Sequence, residues 1–203
     1  MYHRIASLYM KRTALLVCTL GLLGQGAALR AADTYNIDPA HSTVGFAVSH
    51  MVINTVHGKF NEFTGTVVVE DNRLQSARGV IQTKSVDTGV AMRDKDLRSP
   101  NFFETDKFPT ITFVSKKVTD RNGVTELVGD FTMHGVTKEI SLPVKLKGPI
   151  KDPWGNTRIG LEAKTSLNRK DYGLTYSKAL ETGGLVVGDE VELEINAEAT
   201  KAK

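Results

Sequence analysis

The densest group of chemically capable side chains lies in the stretch MRDKDLRSPNFFETDKFPTITF, Met92 to Phe113, where Arg93, Asp94, Lys95, Asp96 and Arg98 precede Phe102, Phe103 and Phe108. Two carboxylates this close together are the raw material of acid–base chemistry, and Asp94, Asp96 or His50 could act on a molecule brought to them. Their alternation with three cations argues instead for a salt-bridged, solvated turn. Other signatures of catalysis are absent. His41, His50, His57 and His134 show neither His-x-His nor His-Glu-x-x-His spacing and have no cysteine partners, so no metal site is read. Ser42 beside His41 lacks a nucleophile elbow. Gly183-Gly184 runs into Leu185-Val186-Val187 without the lysine and helix start of a phosphate loop. The sequence thus predicts no enzyme, no catalytic residue, no metal and no required cofactor.

The N-terminal residues have the layout of an export signal. Arg4, Lys11 and Arg12 precede an apolar run from Thr13 to Leu23, followed by small residues from Gly24 to Ala32. The run is shorter than the about 20 residues a membrane span needs. Cleavage after Ala28 satisfies the small-x-small rule, and cleavage after Ala32 leaves a start at Asp33. Residues 1–32 are therefore read as a secretory signal and 33–203 as a single exported domain. Cys18, the one cysteine, follows the bulky Val17 inside the apolar run, which disfavours lipidation. A mature chain without cysteine must hold itself together by its core in an oxidising compartment. The 26 basic and 23 acidic residues include four basic ones before Asp33, so the mature balance is 22 against 23. Nucleic-acid binding loses its electrostatic basis.

From Asp33 onward the hydrophobic period is two. Val44, Phe46 and Val48 alternate with small and polar residues. Met51 to Val56 is read as a short helical or irregular connection, and Lys59 to Glu70 as a strand or bent pair with Gly65 at a bulge or corner. Asp71-Asn72 is a turn, Ser76 to Lys84 a strand, and Asp87 or Thr88 caps a short helix that ends at Ser99-Pro100. Strands follow from Thr110, from Val124 to Met133 across the hairpin signal Asn122-Gly123, and from Thr137 to Leu146 after His134-Gly135. Pro143 marks an edge or bulge. Gly148-Pro149 and Asp152 to Gly155 are read as loop, and Arg158 to Asn168 and Glu190 to Ala199 as the last strands.

Nearly every strand has one apolar face and no long amphipathic helix is available to cover a sheet. The faces must meet one another, as an antiparallel β-barrel of about eight strands or as a two-sheet sandwich. The segment after Met92 becomes a helical or loop cap over one end, with Phe102, Phe103 and Phe108 turned inward. The inward faces comprise Phe46, Val48, Phe113, Leu127, Phe131, Ile140, Leu142, Val144, Leu161, Leu193 and Ile195. Those side chains either fill the barrel or line a tunnel for one elongated ligand.

Four segments in order, NIDPAHSTVGFAVSHM, RDKDLRSPNFFETDKFPTITF, GDFTMHGVTKEISLPV and DPWGNTRIGLEA, together resemble the YceI-like family of bacterial periplasmic proteins. The resemblance covers the whole mature chain. It implies a lipocalin-like antiparallel barrel enclosing an isoprenoid lipid, either a polyprenyl lipid or the tail of an isoprenoid quinone. Where the family's Arg-Asp motif often carries histidine, this chain has Asp96. The resemblance places Arg93, Asp94 and Phe102 near the barrel mouth and makes the inward faces the ligand-binding wall. Transient membrane contact and a homodimer are the partner expectations beside the lipid.

Overall fold

The structure, a computed structural model, describes residues 32–181 and 183–203. The export signal expected over residues 1–32 and Cys18 fall outside the described residues, apart from Ala32.

Eleven strands follow in chain order: β1 (Asp33–Ile37), β2 (Thr43–His50), β3 (Asn54–Phe60), β4 (Phe63–Glu70), β5 (Arg73–Gln82), β6 (Val86–Asp87), β7 (Thr110–Arg121), β8 (Val124–Met133), β9 (Val136–Lys151), β10 (Thr157–Asn168) and β11 (Val187–Lys201). Among the described residues a single α-helix, α1 (Ala91–Arg98), lies between β6 and β7. All the pairings are antiparallel, and the sheet closes on itself in the order β1-β4-β5-β7-β8-β9-β10-β11, with β11 returning to β1. β1 and β2 are two halves of one strand, interrupted by a 3-10 turn at Pro39–His41, and both pair with β11. β3 and β4 are likewise halves of their neighbour. With halves joined, each strand pairs with the next in sequence, which is an up-and-down barrel of eight members closed through β1 and β11, while β3 continues past that ring and meets β6 only at Lys59 and Phe60.

The interruption in β3–β4 falls at Asn61-Glu62 and not at Gly65. Ser85 stitches it: the Asn61 amide donates to the Ser85 carbonyl at 3.1 Å and the Glu62 amide to Ser85 Oγ at 3.0 Å. Gly65 sits inside β4 opposite Gly79 of β5, and the bulge in that ladder lies at Val68/Val69. Met51 to Ile53 form a turn and Asn54 already belongs to β3, so the expected helical or irregular connection over Met51–Val56 is a tight hairpin turn running straight into a strand. Gly148-Pro149 likewise lies within β9 and not in a loop. Pro143 is tolerated because the β9–β10 ladder stops at Val144, leaving a partner strand only on the β8 side.

The two barrel ends differ. One carries the tight turns at Asp71-Asn72, Asn122-Gly123 and Asp152–Asn156, and here Tyr35, Val69, Leu74, Ile159 and Ala199 are buried in one cluster. Side chains therefore fill this end. Arg158 also ties it together, its Nη1 donating to Asp38 Oδ2 at 2.8 Å and its Nε to Asp152 Oδ2 at 2.9 Å. Hydrogen bonds from Arg158 and His41 hold the Asp38 carboxyl down at about 2, and those from Asn156 and Arg158 hold Asp152 at about 2. Both lie below the ordinary 3.8, so the stability they supply is complete above about pH 4 and is lost as the pH falls toward 2. Thermal melts should show that decline in the parent chain. In Arg158→Met the Tm should be lower at neutral pH and its fall between pH 4 and 2 shallower; parallel curves would remove the guanidinium from this role.

The other end is covered by α1 with its following loop and by the β10–β11 connection. α1 begins after Val90, which supplies no side-chain cap. The expected capping residues act earlier instead. Asp87 accepts from the Gly89 amide at 2.8 Å, and Thr88 donates from its amide and hydroxyl to Asp94 Oδ1 at 2.9 and 2.6 Å.

Candidate ligand-binding cavity

The barrel holds a cavity of about 230 Å³, far more than the about 10–15 Å³ one water requires. All eleven strand residues expected to face inward line it: Phe46 and Val48 from β2, Phe113 from β7, Leu127 and Phe131 from β8, Ile140, Leu142 and Val144 from β9, Leu161 from β10, and Leu193 and Ile195 from β11. Phe102 lines it from the cap. Register explains the convergence. Leu193 lies opposite Phe46 and Ile195 opposite Val44, while Leu142 lies opposite Leu127 and Phe131 opposite Phe113. Opposed residues share a face, and closure turns that face inward. Val48, Phe113, Ile140, Leu193 and Ile195 keep partial exposure although they point inward from mid-strand, because they border space and not atoms.

One wall was not read from the sequence. Phe63, Gly65 and Val67 of β4 and Ala77, Gly79 and Ile81 of β5 also line the cavity, with Gly65 and Gly79 directly opposed. Two facing glycines leave the wall bare of side chains, and a Cβ on Gly79 would meet only the Thr64 carbonyl oxygen, at 3.9 Å. The period-two signal Phe63-x-Gly65-x-Val67 could have found this wall.

The cap contributes Leu97 of α1 together with Phe102 and Phe103. Phe103 packs on Phe60 and Phe102 on Tyr176, with ring centroids 5.7 and 5.1 Å apart. Phe108 does not face the cavity: it stacks on His134 at 4.2 Å and fills the space above Gly135. Arg93 and Asp94, expected as polar groups at the mouth, do not line the cavity either. Arg93 donates from Nε to Thr88 Oγ1 at 2.7 Å and from Nη2 to the Thr88 carbonyl at 2.9 Å, and Asp94 is buried against the same residue. Arg98 similarly binds the carbonyls of Lys84 and Val86. The charged run is an anchor for the cap: backbone acceptors in the β5–β6 region hold its guanidinium groups.

Sequence reasoning also missed Arg169, which is 3% exposed and borders the cavity at the capped end. Burial pushes its guanidinium down from the ordinary range, opposed by the charge of Asp189. A basic residue at a strand end reads as solvated in sequence, and only the fold brings it inside. Among the described residues no three His, Cys, Asp or Glu gather closely enough to hold a metal ion.

A closed antiparallel barrel with an almost wholly apolar interior, a filled end and a capped end defines a lipocalin-like barrel protein. The comparisons place it further. Residues 35–199 match the family model of the YceI-like domain, and the chain belongs to the YceI-like family. A UPF0312 protein of Yersinia enterocolitica is 35% identical over 198 residues, covering 96% of this chain and all of that relative (100%). The YCEI protein of Campylobacter jejuni, known from a crystal structure, superposes with a TM-score of 0.66 at 26% identity, over 76% of this chain and 90% of its own. The structure of a polyisoprenoid binding domain from Saccharophagus degradans, implicated in plant cell wall breakdown, gives a TM-score of 0.60 at 18% identity, over 83% and 98%.

Proposed function

We propose that the protein is a periplasmic carrier or reservoir that encloses a long isoprenoid chain, of a polyprenyl lipid or an isoprenoid quinone, and performs no chemistry on it. The observation that carries this reading is the cavity itself: eleven apolar side chains from six strands, with Phe102 from the cap, converge on one space that is closed by packing at its far end. Each methylene moved from water into such a space is worth about 0.8 kcal/mol, so a few isoprene units supply enough to hold the chain. The polyisoprenoid-binding neighbour supports the ligand class. Export to the periplasm rests on the N-terminal signal pattern.

Native mass spectrometry of the mature protein purified without detergent, followed by organic extraction, tests the reading. The expected result is a stoichiometric isoprenoid adduct. An apo mass that stays unchanged when such lipids are offered would mean the interior takes no ligand. The same spectrum separates a monomer from the proposed homodimer.

The chain must be taken from a lipid phase, and the β2–β3 turn at the capped end is suited to meet one. Met51, Val52 and Ile53 are 41%, 67% and 87% exposed, three apolar side chains in succession where a hairpin tip is normally polar. The tip adjoins the cavity, because the Met51 amide donates to the Val186 carbonyl at 2.9 Å and the next residue, Val187, lines the cavity. Ile53→Asp should slow lipid transfer from vesicles about tenfold, the effect expected from withdrawing one apolar side chain of about 1.5–3 kcal/mol from the bilayer surface. Affinity for a detergent-dispersed lipid should not change. Equal transfer rates would exclude the turn as the contact.

A further inference from the structure

Among the described residues two charged ones border the cavity, Arg78 and Arg169. Arg78 is exposed and lies opposite Thr66 and Val114 on the outward face. Arg169 alone of the two is buried, so its charge belongs to the interior. Its Nε donates to the Gly188 carbonyl at 2.8 Å, Nη1 to the Leu174 carbonyl, and Nη2 to the Val187 carbonyl at 3.2 Å and to Asp189 Oδ1 at 3.3 Å. A guanidinium carries five N–H groups, and these bonds use four. The second N–H on Nη1 has no acceptor among the described residues. Asp189 is shared as well, because its Oδ2 accepts from Lys170 Nζ at 2.8 Å. One carboxylate thus faces two cations. An open donor on a buried cation is unfavourable until an acceptor reaches it, and the apolar walls offer none.

We propose that Arg169 seats the polar end of the enclosed molecule, its second Nη1 N–H donating to a carbonyl or phosphate oxygen on the head of an isoprenoid. This deepens the enclosure reading and rests on it. The tail then runs between the sheet walls toward the end filled by Tyr35 and Ile159, and the head stays beneath the cap, where the β10–β11 connection closes over it. Selectivity among chains of equal length becomes a property of the head, decided at one guanidinium.

The test titrates the full mature chain with three ligands of the same four-isoprene length: a quinone, a monophosphate and the headless hydrocarbon. A hydrogen bond to a buried charge makes the two headed ligands bind about ten- to a hundredfold tighter than the hydrocarbon. Arg169→Gln should bring the three affinities together while hydrocarbon binding persists. Because Arg169 also pins the β10–β11 connection, a second variant, Asp189→Asn, leaves the guanidinium in place. It should raise the preference for the phosphate over the quinone by removing the competing carboxylate. Equal affinities for all three ligands in the parent chain, or an unchanged preference in Asp189→Asn, would overturn the head-group seat and leave enclosure standing. Binding of none of the three would overturn enclosure itself. Inorganic phosphate alone should not compete; competition would make this a free-anion site and overturn the proposal.

Discussion

Gly79→Phe should empty the barrel of its ligand without unfolding it. Gly79 lies on the inward face of β5, between Ala77 and Ile81, opposite Gly65 on one side and Phe113 on the other. A Cβ placed there meets only one backbone oxygen at 3.9 Å, so the ring would grow into the cavity and not into its neighbours. If it displaces about four methylenes' worth of ligand contact, at about 0.8 kcal/mol each, isoprenoid affinity falls about a hundredfold. The new side chain buries apolar surface of its own, so Tm should hold or rise. Calorimetric titration beside a thermal melt checks both halves. Undiminished affinity in a folded Gly79→Phe chain would move the ligand out of this cavity.

The same residue type gives the opposite outcome at Gly129. There the β7–β8 ladder shifts register between Ser115 and Lys117, and the bulged strand presses its backbone onto β8. A Cβ on Gly129 would stand 2.3 Å from the Val114 carbonyl oxygen and 2.6 Å from Ser115 Cα. Backbone cannot rotate aside as a side-chain tip can. Ser115 also accepts the Ala77 amide at 2.9 Å, so moving it opens the β5–β7 ladder. Gly129→Ala should therefore destabilise the fold by about 3 kcal/mol, the upper end for an overpacked site, which lowers Tm by roughly 10 °C in a domain of this size. A melt within about 2 °C of the parent would show that the bulge is able to relax. One glycine protects a ligand's space and the other protects a backbone crossing.

The contrast marks where reading a sequence stops. Both glycines interrupt period-two strands, and nothing in the flanking residues says which faces a void and which faces a carbonyl. Gly65 failed in the same way: it looked like a corner, yet the chain breaks at Asn61-Glu62, because Ser85, distant in sequence, supplies the hydrogen bonds that make the break possible. Asp87 and Thr88 looked like helix caps and instead organise the turn before α1. Phe108 shares its composition with Phe102 and Phe103 but lies beyond them, against a histidine from the β8–β9 turn.

By itself the sequence determined the antiparallel class, the approximate strand count, the inward face of six strands and the family. Alternation is a local property: a side chain's face follows from its parity along the strand, and burying one face decides the register. Tertiary structure alone decided that the inward faces enclose space instead of filling it, that the β4–β5 wall is bare at Gly65 and Gly79, that Arg93 and Asp94 anchor the cap, and that Arg169 lies inside. Each of these depends on distances between strands far apart in the chain. Volume and charge placement are sums over all the walls at once, and no single strand carries them.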